Sequence, residues 1–217
     1  MVLTSPFEAM AALFGATLGN DLPATPNYNI CPTNSVGVVT SDGTRRLRAM
    51  RWGFIPGWYK APNDGPLIIN ARADTVATKP AFREAVRTRR CILPVSGFYE
   101  WSDGPDKTRL PWYFTREDTA AMAFAAIWQR WGDLDTCAMV TTDAGPGMDG
   151  VHDREPVILE PADWPLWLGE AGHGAAPLMR ASTAGVLQHH RVAIAVNSNR
   201  AAGPQLIEPI YSGLQST

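Results

Sequence analysis

The chain has 217 residues, 19 basic and 21 acidic side chains for a net charge of −2, and a composition that is 45% hydrophobic and 18% charged. Those proportions support a packed core and exclude a disordered chain, and the near-neutral balance excludes a protein drawn bodily to nucleic acid or membrane by its bulk field. Its 18 prolines, 19 glycines and eight tryptophans point to many short elements joined by ordered turns, not to a long helical bundle.

The opening stretch lacks the positive start of a signal peptide, and no apolar run approaches the roughly 18 residues of a membrane span. A cytoplasmic monomer without membrane contact is the expectation. Residues 6–18 carry apolar side chains at helical spacing, with Ser5 as cap and Pro6 in the first turn. Pro- and Asn-rich turn chemistry fills residues 20–34. Residues 35–40 and 45–54 read as two strands of a hairpin across Ser41-Asp42-Gly43. A Pro/Gly-rich stretch over 56–66 precedes a strand-like run at 66–75.

Farther on, residues 79–90 fit a short basic helix and 91–101 one strand. Residues 110–116 and 121–131 read as a pair joined by an acidic turn, and 135–144 as one more strand. A helical region begins at 163–169, and 191–198 reads as a late strand. Strands outnumber helices and most neighbours are joined by tight turns. The predicted fold is α+β: a mainly antiparallel, barrel-like sheet with peripheral helices, in one domain over residues 1–217.

Cys31, Cys91 and Cys137 are widely spaced and form no CxxC pair, so neither a metal site nor a disulfide framework is expected. Cys91 and Cys137 lie in apolar runs and read as small core residues. Three polar segments at strand ends could carry chemistry. Asn70 and Arg72, two apart on a strand, face the same way and can share an anionic ligand; the alternative is a structural Asn with a surface Arg. Glu100 is set between Tyr99 and Trp101, where desolvation raises a carboxyl toward acid/base use; the alternative is a strand-end carboxylate in water. His152 sits among charges on a turn and can move a proton near neutral pH. Arginines cluster at Arg45, Arg46, Arg48 and Arg51 and again at Arg83, Arg87, Arg89 and Arg90. They form either a local patch for DNA or, for the second cluster, the solvated face of a helix.

In chain order, YNICPTN, RWGFIPGWY, INARADT, CILPVSGFYEW and VHDREPVIL closely resemble the SOS response-associated peptidase family of abasic-site processing proteins. The resemblance runs from about Thr4 to the LIEPI segment ending at Ile210. It implies binding to single-stranded DNA with abasic sites, including single-strand/double-strand junctions, and shielding of the lesion as a covalent thiazolidine with an N-terminal cysteine. No cofactor or metal is implied. By the same resemblance Glu100 handles protons for the amine and ring-opening steps, and His152 assists sugar ring-opening and crosslink reversal. Asn70 positions the cysteine, and Arg72 and Arg154 hold phosphates. Trp58 is an aromatic wedge, and Asn29 and Pro32 line the groove.

The chain departs from the family at its start. It opens Met1-Val2-Leu3-Thr4, where the family opens Met-Cys-Gly-Arg and an aromatic residue. Thiazolidine formation requires amine and thiol on one residue, so none of the three cysteines substitutes. The expectation is a start placed at an internal codon or a truncation, the natural protein carrying the cysteine. The alternatives are a non-catalytic single-strand or junction DNA-binding protein with a relic site, or a thiol autopeptidase as the family's name implies. Glu155, where the family more often has an apolar or basic residue, is expected to weaken phosphate contacts locally.

Overall fold

The computed structural model describes residues 1–118, 120–148 and 150–210; Thr119 of the expected acidic turn and Asp149 beside the His152 segment lie outside the described residues. The strands are β1 (Thr17–Leu18), β2 (Ser35–Ser41), β3 (Arg45–Trp52), β4 (Asn70–Arg72), β5 (Arg90–Val95), β6 (Phe98–Asp103), β7 (Arg109–Arg116), β8 (Met122–Trp131), β9 (Leu134–Asp143), β10 (Arg154–Pro156) and β11 (Leu187–Arg191). The helices are α1 (Phe7–Phe14), α2 (Ala85–Thr88) and α3 (Trp164–Leu168).

The larger sheet runs β1-β3-β2-β5-β8-β9-β10, with β4 also beside β9. A further pairing sets Arg51 against Thr136 and Trp52 against Cys137, so β3 meets β9 and the path β3-β2-β5-β8-β9 closes on itself. The α+β, mostly antiparallel, barrel-like architecture read from the sequence is borne out. A second, three-stranded sheet runs β11-β7-β6.

The expected hairpin is β2 and β3, paired from Ser35–Arg51 to Ser41–Arg45. The helix expected over residues 6–18 stops at Phe14, because Gly15 turns left-handed at φ 61° and the Ala16 N–H closes back on Ala11 at 2.8 Å. Pro6, not Ser5, is the residue at its N-terminal boundary. Phe7 lies so close to β2 that a Cβ on Gly37 would sit 2.3 Å from its ring, which is why that strand position has no side chain. Phe14 packs on Trp164 at 4.3 Å, and Trp167, fully buried, donates from Nε1 to the Cys91 carbonyl at 2.8 Å. These contacts cover one side of the ring, so β5 and β8 are apolar on both faces.

Four expectations are corrected. The run 91–101 is two strands: the chain leaves the large sheet after Val95 and enters the second sheet at Phe98, turning at Ser96-Gly97. The runs 110–116 and 121–131 do not pair; β7 lies between β6 and β11, whereas β8 lies between β5 and β9. The late strand ends at Arg191, and Ile194–Asn197 is a 3-10 turn. The basic helix is shorter than expected, Ala85–Thr88 only. Cys91 and Cys137 are fully buried, as read.

Candidate functional site

Glu100 sits on β6, beyond the point where the chain crosses between sheets. The crossing is held by Val2, whose N–H donates to the Gly97 carbonyl and whose carbonyl accepts from Ser96 N–H, both at 2.8 Å. Tyr99 and Tyr113 pack with Val2, Val192, Val196 and Leu206 as a small second core on one side of the second sheet. Strand alternation turns Glu100 to the other side. Burial, the largest effect, raises its carboxyl above the ordinary range, and His152, Arg109 and the Met1 amino group act against that shift.

His152 Nε2 lies 4.0 Å from Glu100 Oε2. Its other nitrogen, Nδ1, is 3.1 Å from the Arg154 N–H and 3.0 Å from the Arg154 carbonyl. When Nδ1 accepts that N–H, the ring proton is on Nε2, the nitrogen turned to Glu100. Arg154 is itself held by β9: Nη1 meets Asp143 Oδ1 at 2.9 Å and Nη2 donates to the Thr141 carbonyl at 3.0 Å. Asp74 stands between two guanidinium groups, 3.9 Å from Arg154 Nη2 and 3.6 Å from Arg72 Nε. Arg72 shares β4 with Asn70, and both are exposed around buried Ala71, so the same-face expectation holds. Glu100, His152, Arg154 and Arg72 are thus linked by contacts, and Asn70 adjoins them through β4.

The start of the chain lies beside the same carboxylate. Met1 is buried, and its nitrogen donates to the Ile30 carbonyl at 2.9 Å. Burial pushes that amino group down to about 5, against the opposing pull of Cys31 and Glu100. Pro32 is half-buried two residues along this loop. The amide of Asn29 is occupied, donating to the Ser198 and Ala201 carbonyls at 3.0 Å each, so it ties the loop to the C-terminal segment. Trp58 is 60% exposed and packs only edge-on to Tyr59 at 6.4 Å. Its neighbour Tyr59 accepts from Trp131 Nε1 at 2.9 Å, which anchors this loop at the β8–β9 turn; no contact links Trp58 to Glu100 or His152 among the described residues.

Glu155 is not a surface carboxylate. It is 1% exposed and points inward, accepting from Gly145 N–H at 2.7 Å and from the Ser182 N–H and hydroxyl at 2.5 and 2.8 Å. The expected weakening of phosphate contacts therefore has no basis; the carboxylate is a structural acceptor. The arginine clusters are largely spent as well. Arg45 pairs with Glu170 at 2.7 Å, Arg48 with Asp135, and Arg90 with the carbonyls of Trp167, Val86 and Arg87. Among the described residues, no group of three or more His, Cys, Asp and Glu is gathered to hold a metal. Sequence reasoning missed Asp74 and Asp143, the two acids paired with the phosphate-binding candidates. The signal for Asp74 was its place two residues after Arg72.

A family model described as SOS response associated peptidase matches residues 1–199. The chain is 34% identical over 192 residues to the abasic site processing protein YoqW of Bacillus subtilis, covering 84% of this chain and 86% of that one. It is 29% identical over 216 residues to the abasic site processing protein YedK of Escherichia coli, covering 94% and 95%. The fold matches a crystal structure of a protein from Bacteroides thetaiotaomicron with a TM-score of 0.83 at 23% identity, over 97% of this chain and 98% of that one.

Proposed function

Because the chain belongs to the SOS response associated peptidase family, we propose that it processes abasic sites in single-stranded DNA, with Glu100 and His152 as the pair that moves protons. One observation carries the reading: a half-buried carboxyl with a raised proton affinity stands 4.0 Å from an imidazole, beside the nitrogen that begins the chain. Val2 pairs antiparallel with Gly97. In that register Met1 falls opposite Phe98, so residues joined ahead of it run along Tyr99 and Glu100, which carries an added α-amine and thiol toward the carboxylate.

The chemistry needs these groups. The opened abasic sugar offers an aldehyde. An α-amine adds to it, and loss of water from the adduct needs an acid, which the protonated Glu100 supplies. A thiolate on the same residue then closes the five-membered ring on the imine carbon. His152 Nε2 serves as the donor for sugar opening and for the reverse step. Arg72 and Arg154 hold strand phosphates, Asn70 orients the amine, Trp58 offers its open ring to an unstacked base, and Asn29 and Pro32 shape the groove wall. Single strands and junctions are the partners, the protein acts as a monomer in the cytoplasm or on the nucleoid, and no cofactor is used.

The test is a denaturing gel. A single strand with one abasic site is incubated with this chain and with a version carrying Met-Cys-Gly-Arg-Phe ahead of Val2. A denaturation-resistant shifted band with the extended protein alone is the expected outcome. Absence of that band from both overturns the crosslinking reading.

A further inference from the structure

The polar row that starts at Glu100 continues across the second sheet. Glu100 lies directly opposite Trp112 on β7, and Trp112 directly opposite Arg191 on β11, so three side chains of one face stand in line. At about 4.8 Å between strands, the Arg191 backbone is about 10 Å from that of Glu100. The guanidinium lies 5.2 Å from the centre of the Trp112 ring, within cation–π range. The ring is fixed in turn: its Nε1 donates to the Ser102 hydroxyl at 2.9 Å, and His189 packs edge-on at 5.2 Å.

Most other buried or half-buried arginines of this fold have a structural partner. Arg45 has Glu170, Arg48 has Asp135, Arg116 has Asp118 and Glu160, and Arg90 has three carbonyls. Arg191 has neither. Its Nε is buried without a hydrogen-bond partner, and its guanidinium joins no ion pair among the described residues. A guanidinium over a tryptophan ring, two strands from Glu100 and lacking a counter-charge among the described residues, matches a phosphate better than a structural role.

We infer that Arg191, set over the Trp112 ring, binds a strand phosphate neighbouring the abasic nucleotide that Glu100 attends. The inference rests on the proposed function, since it needs a strand lying across Glu100. It adds an anion contact from the second sheet to those that Arg72 and Arg154 offer from the first.

The experiment measures binding of a short labelled single strand carrying a tetrahydrofuran abasic analogue, by anisotropy across a salt series. Each phosphate contact on a single strand contributes about 0.7 to the slope of log affinity against log salt. Arg191→Ala is expected to lower the slope by about that amount, and Arg191→Lys to keep the slope while binding more weakly, because a lysine does not stack. Thermal unfolding of each variant identifies any loss of fold, and Arg191→Gln carries the same test if Arg191→Ala is unstable. An unchanged slope in folded Arg191→Ala, while Arg72→Ala lowers it, overturns this inference and leaves the proposed function standing. A parent chain that shows no salt-dependent binding overturns both.

Discussion

Glu100 and His152 face each other at 4.0 Å although they come from elements of different sheets, Glu100 from β6 and His152 from the turn that leads into β10. Their approach therefore depends on how the two sheets dock. The first consequence concerns pH. Burial raises the Glu100 carboxyl above its ordinary 4.5, so the folded protein holds that proton more tightly than the unfolded chain does. Stability from this group is full below the ordinary value and is lost as pH rises through the raised one. Glu100→Gln should unfold with the parent at about pH 4 and at a higher temperature than the parent at about pH 8. Each kcal/mol gained shifts the midpoint by about 2–4 °C in a chain of this size. Calorimetry at the two pH values checks it; an equal gap at both removes the desolvation argument.

His152 is only partly covered and packs against backbone at Arg154. Its removal should leave the fold intact and affect chemistry alone. In the extended protein, His152→Ala is expected to slow crosslink formation by about 10²–10⁴-fold, the usual weight of a positioned proton donor. Single-turnover gels read the rate, and an unfolding curve superimposed on the parent's confirms that the loss is chemical.

Asp74 holds Arg72 and Arg154 at 3.6 and 3.9 Å, and it competes with any phosphate for both. Asp74→Asn should tighten single-strand binding at low salt by about 2–5-fold, since exposed pairs of this kind are worth about 0.2–1 kcal/mol. The gain should vanish at high salt. Weaker binding in this variant would mean that Asp74 instead orients the two arginines for the strand.

Glu155, itself buried, answers three donors, one buried at Gly145 and two half-buried at Ser182. Glu155→Ala leaves the buried Gly145 N–H unmatched and the Ser182 donors to water, at a cost of about 1–3 kcal/mol. Urea denaturation should show a lower midpoint with an unchanged slope. If the midpoint does not move, the segments around Gly145 and Ser182 take their order from other contacts.

What could be read from the sequence followed from local periodicity. The β2–β3 hairpin announces itself by two apolar strands around Ser41-Asp42-Gly43, and the site motifs stand out as polar groups at the ends of apolar runs. The crossing at Ser96-Gly97 is marked only by that short turn-type pair, and with strand-forming residues on both sides nothing local says that the chain changes sheets there. The mistaken pairing of β7 with β8 has a related cause. Adjacency and an acidic turn imitate a hairpin, yet β8 is buried on both faces and belongs in the ring, while Arg116 is turned to Asp118 and Glu160. A two-sided apolar run such as Met122–Ile127 was the available sign that β8 is central. Likewise, nothing local in the sequence reveals that Glu155 points inward, since its partners at Gly145 and Ser182 lie on separate segments.

The contact of Arg51 and Trp52 with Thr136 and Cys137 joins strands that lie far apart along the chain. β1 and β2, made before β3 in the chain, pair along that strand, and its Arg51-Trp52 end waits for β9 while all the intervening strands are made. Until that late partner arrives, the backbone groups at the Arg51-Trp52 end of β3 are open to the solvent and to other nascent chains. The topology therefore makes the protein a slow folder with a long-range closing step, and growth temperature and expression rate, more than surface charge, should govern how much of it is recovered intact.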